Sequence, residues 1–220
     1  MKEKLKIDIV SDVVCPWCII GYKRLEKAIK ELGIEDQIDI EWQPFELNPN
    51  MPTEGQNVIE HLTEKYGSTI AQQNQSKQQM TEVGEELGFK FNYFDDMRMV
   101  NTFNAHVLLE YAKDFGKQTE LKMRLTTAFF SDQKDVSSNT VLKEALLDVG
   151  LNANEALAKL DDENARYEVR NKQKYWKNLG VNSVPTFVFN KKSAITGAQP
   201  VDSLKQVLTE LIKQSSNKIN

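Results

Sequence analysis

Two cysteines and two histidines are all that these 220 residues hold of the side chains best suited to a transition metal. A structural zinc site takes four such ligands, usually as two closely spaced pairs. Here Cys15 and Cys18 form one pair, while His61 and His106 stand far along the chain from it and from each other. No metal centre is expected. Positive charge is also scarce: 28 Lys and Arg face 32 Asp and Glu, a net charge of −4 with no basic run. That argues against nucleic acid and anionic membranes as partners. No apolar run approaches the ~20 residues that cross a bilayer. The opening residues Met1-Lys2-Glu3-Lys4-Leu5-Lys6 show neither the apolar stretch nor the cleavage site of a secretory signal. The expected location is therefore a reducing cytoplasm, where a cysteine pair is more often catalytic than structural.

What is present centres on Val13-Val14-Cys15-Pro16-Trp17-Cys18. Leu5, Ile7 and Ile9 alternate with Lys6 and Asp8, which predicts a strand with one apolar face. After the cysteines, Cys18, Tyr22, Leu25, Ile29 and Leu32 step by four and three, the stripe of an amphipathic helix that stops at Gly33. Cys15 then falls at a helix N-terminus, where unpaired N–H groups and the helix dipole favour a thiolate. Pro16 suits the first helical turn. One turn on, Cys18 heads the core-facing row. Cys15 is thus expected as the exposed nucleophile and Cys18 as the sheltered resolving thiol. Trp17 adds bulk between them but no charge.

A second alternating run, Ile38, Ile40 and Trp42, predicts a strand closed by Pro44, parallel to the first through a right-handed crossover. From 56 to about 180 the signals are helical, near 56–66, 68–87, 101–115, 119–132, 139–149 and 161–179. The polar tract from Gln72 to Gln79 runs on into Met80, Val83 and Leu87 at helical spacing and reads as a solvated helix face. Phe89 to Phe94 reads as either a short strand or an aromatic loop. Phe129 and Phe130 are expected in the core, and His61 at the surface. Pro185–Phe189 and Ser193–Thr196 flank a turn and predict a hairpin, followed by a final helix carrying Leu204, Val207, Leu208, Leu211 and Ile212.

This order, with Cys-Pro-Trp-Cys behind the first strand, resembles the DsbA family of thioredoxin-fold oxidoreductases. The branch it is most similar to is called FrnE-like and is related to 2-hydroxychromene-2-carboxylate isomerases and kappa-class glutathione transferases. The resemblance rests on Ser11–Cys18, Pro44–Pro49, Asn101-Thr102 with Ala105-His106, Gly180–Thr186 and Gly197–Pro200. It implies an α/β thioredoxin fold, β-α-β then β-β-α, with a large all-helical insertion. The corresponding division is a discontinuous thioredoxin domain at 1–50 and 181–214, an inserted helical domain at 51–180, and a flexible tail at 215–220. The resemblance also implies a cis Val184–Pro185 bond facing the cysteines, with the backbone before it binding an extended partner. Asn101, Thr102 and His106 become candidate substrate contacts. The buried acid that many thioredoxin-fold proteins carry six residues before the first cysteine is replaced here by Ile9. Asp12 is the nearest carboxylate, with capping or stabilisation of the strand-to-helix turn as its expected role and proton handling as the alternative.

The function expected is thiol–disulfide exchange on protein or small-molecule disulfides, with no bound cofactor and glutathione as candidate co-substrate. The alternative is a glutathione-dependent isomerase or transferase, in which a second cysteine is dispensable. Retention of Cys18 favours exchange. A non-enzymatic peptide-binding module would keep its activity without Cys15. A homodimer formed through the insertion is compatible with the sequence.

Overall fold

The computed structural model describes residues 4–217. Strand β1 (Leu5–Ser11) runs into helix α1 (Pro16–Leu32), which returns to strand β2 (Ile38–Pro44). Gly33 ends α1 in the left-handed region (φ 62°), and Ile34 N–H then reaches back to the Ile29 carbonyl. At the far end of the chain come β5 (Thr186–Phe189), β6 (Ser193–Thr196) and α9 (Val201–Asn217). The four strands form one sheet in the order β2-β1-β5-β6. β2 is parallel to β1, and β5 and β6 are antiparallel to their neighbours. This is the thioredoxin fold.

Because β1 is central, both of its faces are covered. Ile7 and Ile9 join the main core, whereas Val10 packs with Trp176, Val181 and Val188 on the other side. Asp8 therefore does not face water as the alternation alone suggested. It is fully buried and accepts a hydrogen bond from Gln43 Nε2 at 2.7 Å. Burial, partly offset by that bond, raises its pKa.

Between β2 and β5 lie α2 (Val58–Tyr66), α3 (Ile70–Glu86), α4 (Phe103–Asp114), α5 (Gln118–Phe130), α6 (Asn139–Asp148), α7 (Ala153–Ala158) and α8 (Glu163–Asn178). This stretch is not wholly helical. Gln56–Asn57 (β3) pairs antiparallel with Arg98–Met99 (β4), two residues being too short a run to leave an alternation in the sequence. The brief α7 also left no usable period. Phe89–Phe94 forms no strand. Its rings stack with one another and with Phe130, at centroid distances of 4.9 Å for Phe89–Phe91 and 5.2 Å for Phe91–Phe130. Gly84 makes room for them, since a Cβ there would lie 2.6 Å from the Phe89 carbonyl and from the Phe91 ring. Helix α9 continues through Asn217, into the segment expected as a tail, and 218–220 lie outside the described residues.

Candidate active site

Cys15 is the N-cap of α1 in an extended conformation (φ −97°, ψ 111°), with Pro16 opening the helix. Its thiol makes no capping hydrogen bond to the first helical N–H groups but sits at the positive end of the helix dipole. Both cysteines are free thiols. Cys18 N–H bonds the Cys15 carbonyl at 3.1 Å, closing the turn between them. Across the site the Val184–Pro185 bond is cis, and the Val184 carbonyl accepts a hydrogen bond from Cys15 Sγ at 4.0 Å. Gly21, on α1, packs against Pro185 and Phe187, where a Cβ would come within 3.1 Å of each. Helix and cis-proline strand are thereby held in close register.

Cys15 is less accessible than its position suggested, being 5% exposed against 2% for Cys18. The neighbouring Trp17, 37% exposed, and residues of α2 and α3 line a cavity together with it. Its thiol is reached through a cavity of about 420 Å³ lined by Val14, Trp17, Leu62, Met80, Phe129 and Val184 among others. That volume lies in the range of small-molecule pockets. Burial raises the Cys18 thiol well above its ordinary pKa, and its hydrogen bond and charge interaction with Cys15 add to this, against a weaker opposing pull from Lys122.

Asp12 does not cap α1. It is 1% exposed, and its two oxygens accept the Val13 and Leu47 N–H groups at 2.7 and 2.8 Å. His106 Nε2 donates to the Phe45 carbonyl at 2.9 Å and lies 3.3 Å from Asp12 Oδ1. Burial would push the Asp12 carboxyl up, but His106 and the Leu47 N–H together hold it below the ordinary value.

The candidate substrate contacts do not line the cavity that holds Cys15. Thr102 and His106 are buried, with His106 committed to Phe45 and Asp12, while Asn101 accepts the Phe103 N–H at the start of α4. The approach path instead includes His61, which is not at the surface: it is 9% exposed and bonds Gln56 Oε1 and Asn48 Oδ1 at 2.8 and 3.0 Å. Only the folding of α2 against the loop after β2 brings it there, which no local pattern signals. Lys122 was also missed, although its place on the row Gln118, Lys122, Leu125 and Phe129 of an apolar helix face marks it as buried. Among the described residues, no group of three or more His, Cys, Asp or Glu is placed to hold a metal ion.

A thioredoxin fold with a Cys-x-x-Cys pair at the first helix N-terminus, opposite a cis-proline, defines the class of protein. The DSBA-like thioredoxin domain matches residues 6–209, and the chain belongs to that family. It is 31% identical to the probable DsbA oxidoreductase SCO1869 from Streptomyces coelicolor, over 94% of this chain and 89% of that one, with a TM-score of 0.87. The cytosolic disulfide reductase DsbM from Pseudomonas aeruginosa, solved with GSH, shares the fold at 17% identity (95% and 100% covered, TM-score 0.66). So does a 2-hydroxychromene-2-carboxylate isomerase at 12% identity (96% and 98% covered, TM-score 0.72).

Proposed function

We propose that the Cys-Pro-Trp-Cys segment is a redox-active dithiol that exchanges with disulfides, Cys15 attacking and Cys18 resolving. The observation that carries this reading is the asymmetry of the pair: Cys15 opens on the cavity from a helix N-terminus, while Cys18 lies one turn deeper. A thiolate at Cys15 attacks the substrate disulfide and expels one half as a thiol. Cys18 then attacks Cys15 Sγ, closes the Cys15–Cys18 disulfide and releases the other half. Two electrons pass to the substrate, and no bound cofactor enters the balance. The backbone at Val184 is suited to hold an extended partner beside Cys15, with Pro16 and Trp17 shaping the approach. The helical segment 51–180 acts as a separate domain that supplies the far wall of the cavity. The cytoplasm is the proposed location, and the glutathione in the Pseudomonas reductase makes glutathione the first co-substrate to try.

An equilibrium titration in glutathione buffers, trapping free thiols at each point, tests the reading. A single two-electron transition is expected, absent from Cys15→Ser and from Cys18→Ser. A midpoint near about −270 mV would mark a reductase, and one near about −120 mV an oxidant. Failure to form the intramolecular disulfide would overturn exchange. The cavity beside Cys15, of a size that suits a small molecule, favours a second reading in that event, a glutathione-dependent isomerase, which requires Cys15 but tolerates Cys18→Ser.

A further inference from the structure

The cavity that Cys15 lines is built from segments far apart in the chain. Helix α3 contributes Met80, the segment around β4 brings Met97 and Met99, and α5 ends in Phe129 and Phe130. The Phe130 ring lies 4.9 Å from Phe129 and 6.3 Å from Tyr93, another aromatic of the same lining. Thioethers are polarizable, adapt to the shape of a flat ring and make favourable sulfur contacts with it. Two more aromatics of the lining, Trp17 and Tyr66, are exposed to solvent. Such a surface fits an aromatic guest.

It fits a peptide poorly. Asn48, His61, Ser68, Gln72 and Gln73 also line the cavity, yet each is already hydrogen-bonded within the protein. Main-chain amides entering there would give up water and find few partners, which is costly. Size points the same way. The volume of about 420 Å³ suits a small molecule, and Cys15 is 5% exposed. A disulfide embedded in the surface of a folded protein is held away from that thiol, whereas one half of a small disulfide can enter.

Charge narrows the choice. Among the described residues no Asp or Glu lines the cavity, while Lys65 and Lys77 do. In a chain of net charge −4 this is a local reversal of sign. Lys65 Nζ donates to the Leu47 carbonyl and to Asn48 Oδ1, at 2.8 and 2.6 Å, and Lys77 Nζ stands 5.9 Å from the centre of the Tyr93 ring. Among the described residues neither is paired with a carboxylate. Both cations are left to an anionic guest.

We propose that the substrate is a low-molecular-weight disulfide of an aromatic, acid-bearing thiol, an inference that rests on the exchange reading above and specifies what is exchanged. One ring lies among the methionines and Phe129–Phe130, with its acid group toward Lys65 and Lys77. The Cys15 thiolate attacks one sulfur, a mixed disulfide forms, and the other half leaves as a thiolate. Cys18 gives up its proton, attacks Cys15 Sγ, closes the Cys15–Cys18 disulfide and frees the second half. Two electrons pass from the dithiol, and two molecules of aromatic thiol result.

The test is single turnover of the reduced full chain, read from loss of protein thiols. Dithiobis(nitrobenzoate), an aromatic diacid, is compared with hydroxyethyl disulfide, which has neither ring nor charge, and with insulin as a protein disulfide. Each rate is divided by that of dithiothreitol with the same disulfide, which removes differences in leaving group. The native protein should prefer the aromatic acid to hydroxyethyl disulfide about 50-fold, from burial of one ring and one ion pair. Insulin should gain nothing over dithiothreitol. Ser76→Trp, at an exposed position of the lining on α3, should lower the preference about tenfold by filling the space a ring would take. Lys77→Met should lower it about threefold, with no change in the preference for the uncharged aromatic dithiodipyridine, and it decides the matter if the tryptophan variant does not fold. Native ratios near one, insulin reduced as readily as the aromatic acid, or a preference unmoved in both variants would overturn the assignment. A native protein whose Cys15–Cys18 bond closes with none of these disulfides would instead sink the exchange reading itself.

Discussion

His106 Nε2 stands 3.3 Å from Asp12 Oδ1, both side chains almost wholly buried, and joins helix α4 to the turn that delivers Cys15. The same carboxylate holds the Val13 and Leu47 N–H groups. Removing it strands two buried donors and a buried histidine, so Asp12→Ala should lose about 3 kcal/mol of stability in urea unfolding. The folded carboxyl titrates below its ordinary value of 3.8, so its contribution is complete above that pH and is lost as pH falls through the lower folded value. Asp12→Asn should flatten that acid limb.

Glu41 makes a second ionic junction, with Lys6 of β1 and Lys113 of α4 each at 2.5 Å. Burial opposes its ionisation, but the two lysines prevail and bring its pKa from 4.5 to about 2. Its stabilisation is thus present above about pH 4.5 and disappears between there and about 2. With both lysines partly exposed, screening leaves roughly 1 kcal/mol. Glu41→Gln should cost that much at pH 7 and nothing near pH 2, read from denaturation midpoints at the two pH values.

Gln118 completes the edge of the sheet by binding both backbone groups of Trp42. Gln118→Ala leaves a buried N–H and carbonyl without partners, which should cost about 2 kcal/mol. Amide exchange at Trp42 should accelerate more than at the central strand residue Ile9. Equal acceleration at both would mean a global loss rather than an opened edge.

Trp17 lines the same cavity as Cys15 and is itself over a third exposed. Trp17→Ala should therefore speed alkylation of Cys15 by iodoacetamide several-fold, while stability stays within about 0.5 kcal/mol. A rate unchanged from native would show that the wall from α2 and α3, not the indole, limits access.

Much of the fold was legible because local chemistry writes it directly. The Leu5–Ile7–Ile9 alternation, the Cys18–Leu32 stripe, Gly33 and the hairpin around Asn190 each express a short-range preference of the backbone, and β1, α1, β5 and β6 follow them. The two-residue ladder of β3 and β4 was not legible, since its pairing spans some forty residues. Asp8 misled for a related reason: period two says which residues share a face, not whether a helix will cover the other one.

The sequence by itself determined the chemistry available: one cysteine pair at a strand-to-helix turn and a proline opening the late hairpin. Tertiary structure alone decided how that chemistry is housed. It buried Cys15 and left it a cavity, turned His106 inward onto Asp12 and Phe45, drew His61 to the approach path, and set Lys122 over the Trp42 ring. The physical reason is range. Hydrogen-bonded turns and apolar periods act over a few residues, whereas burial, and the charge interactions that burial strengthens, depend on which distant segments pack together.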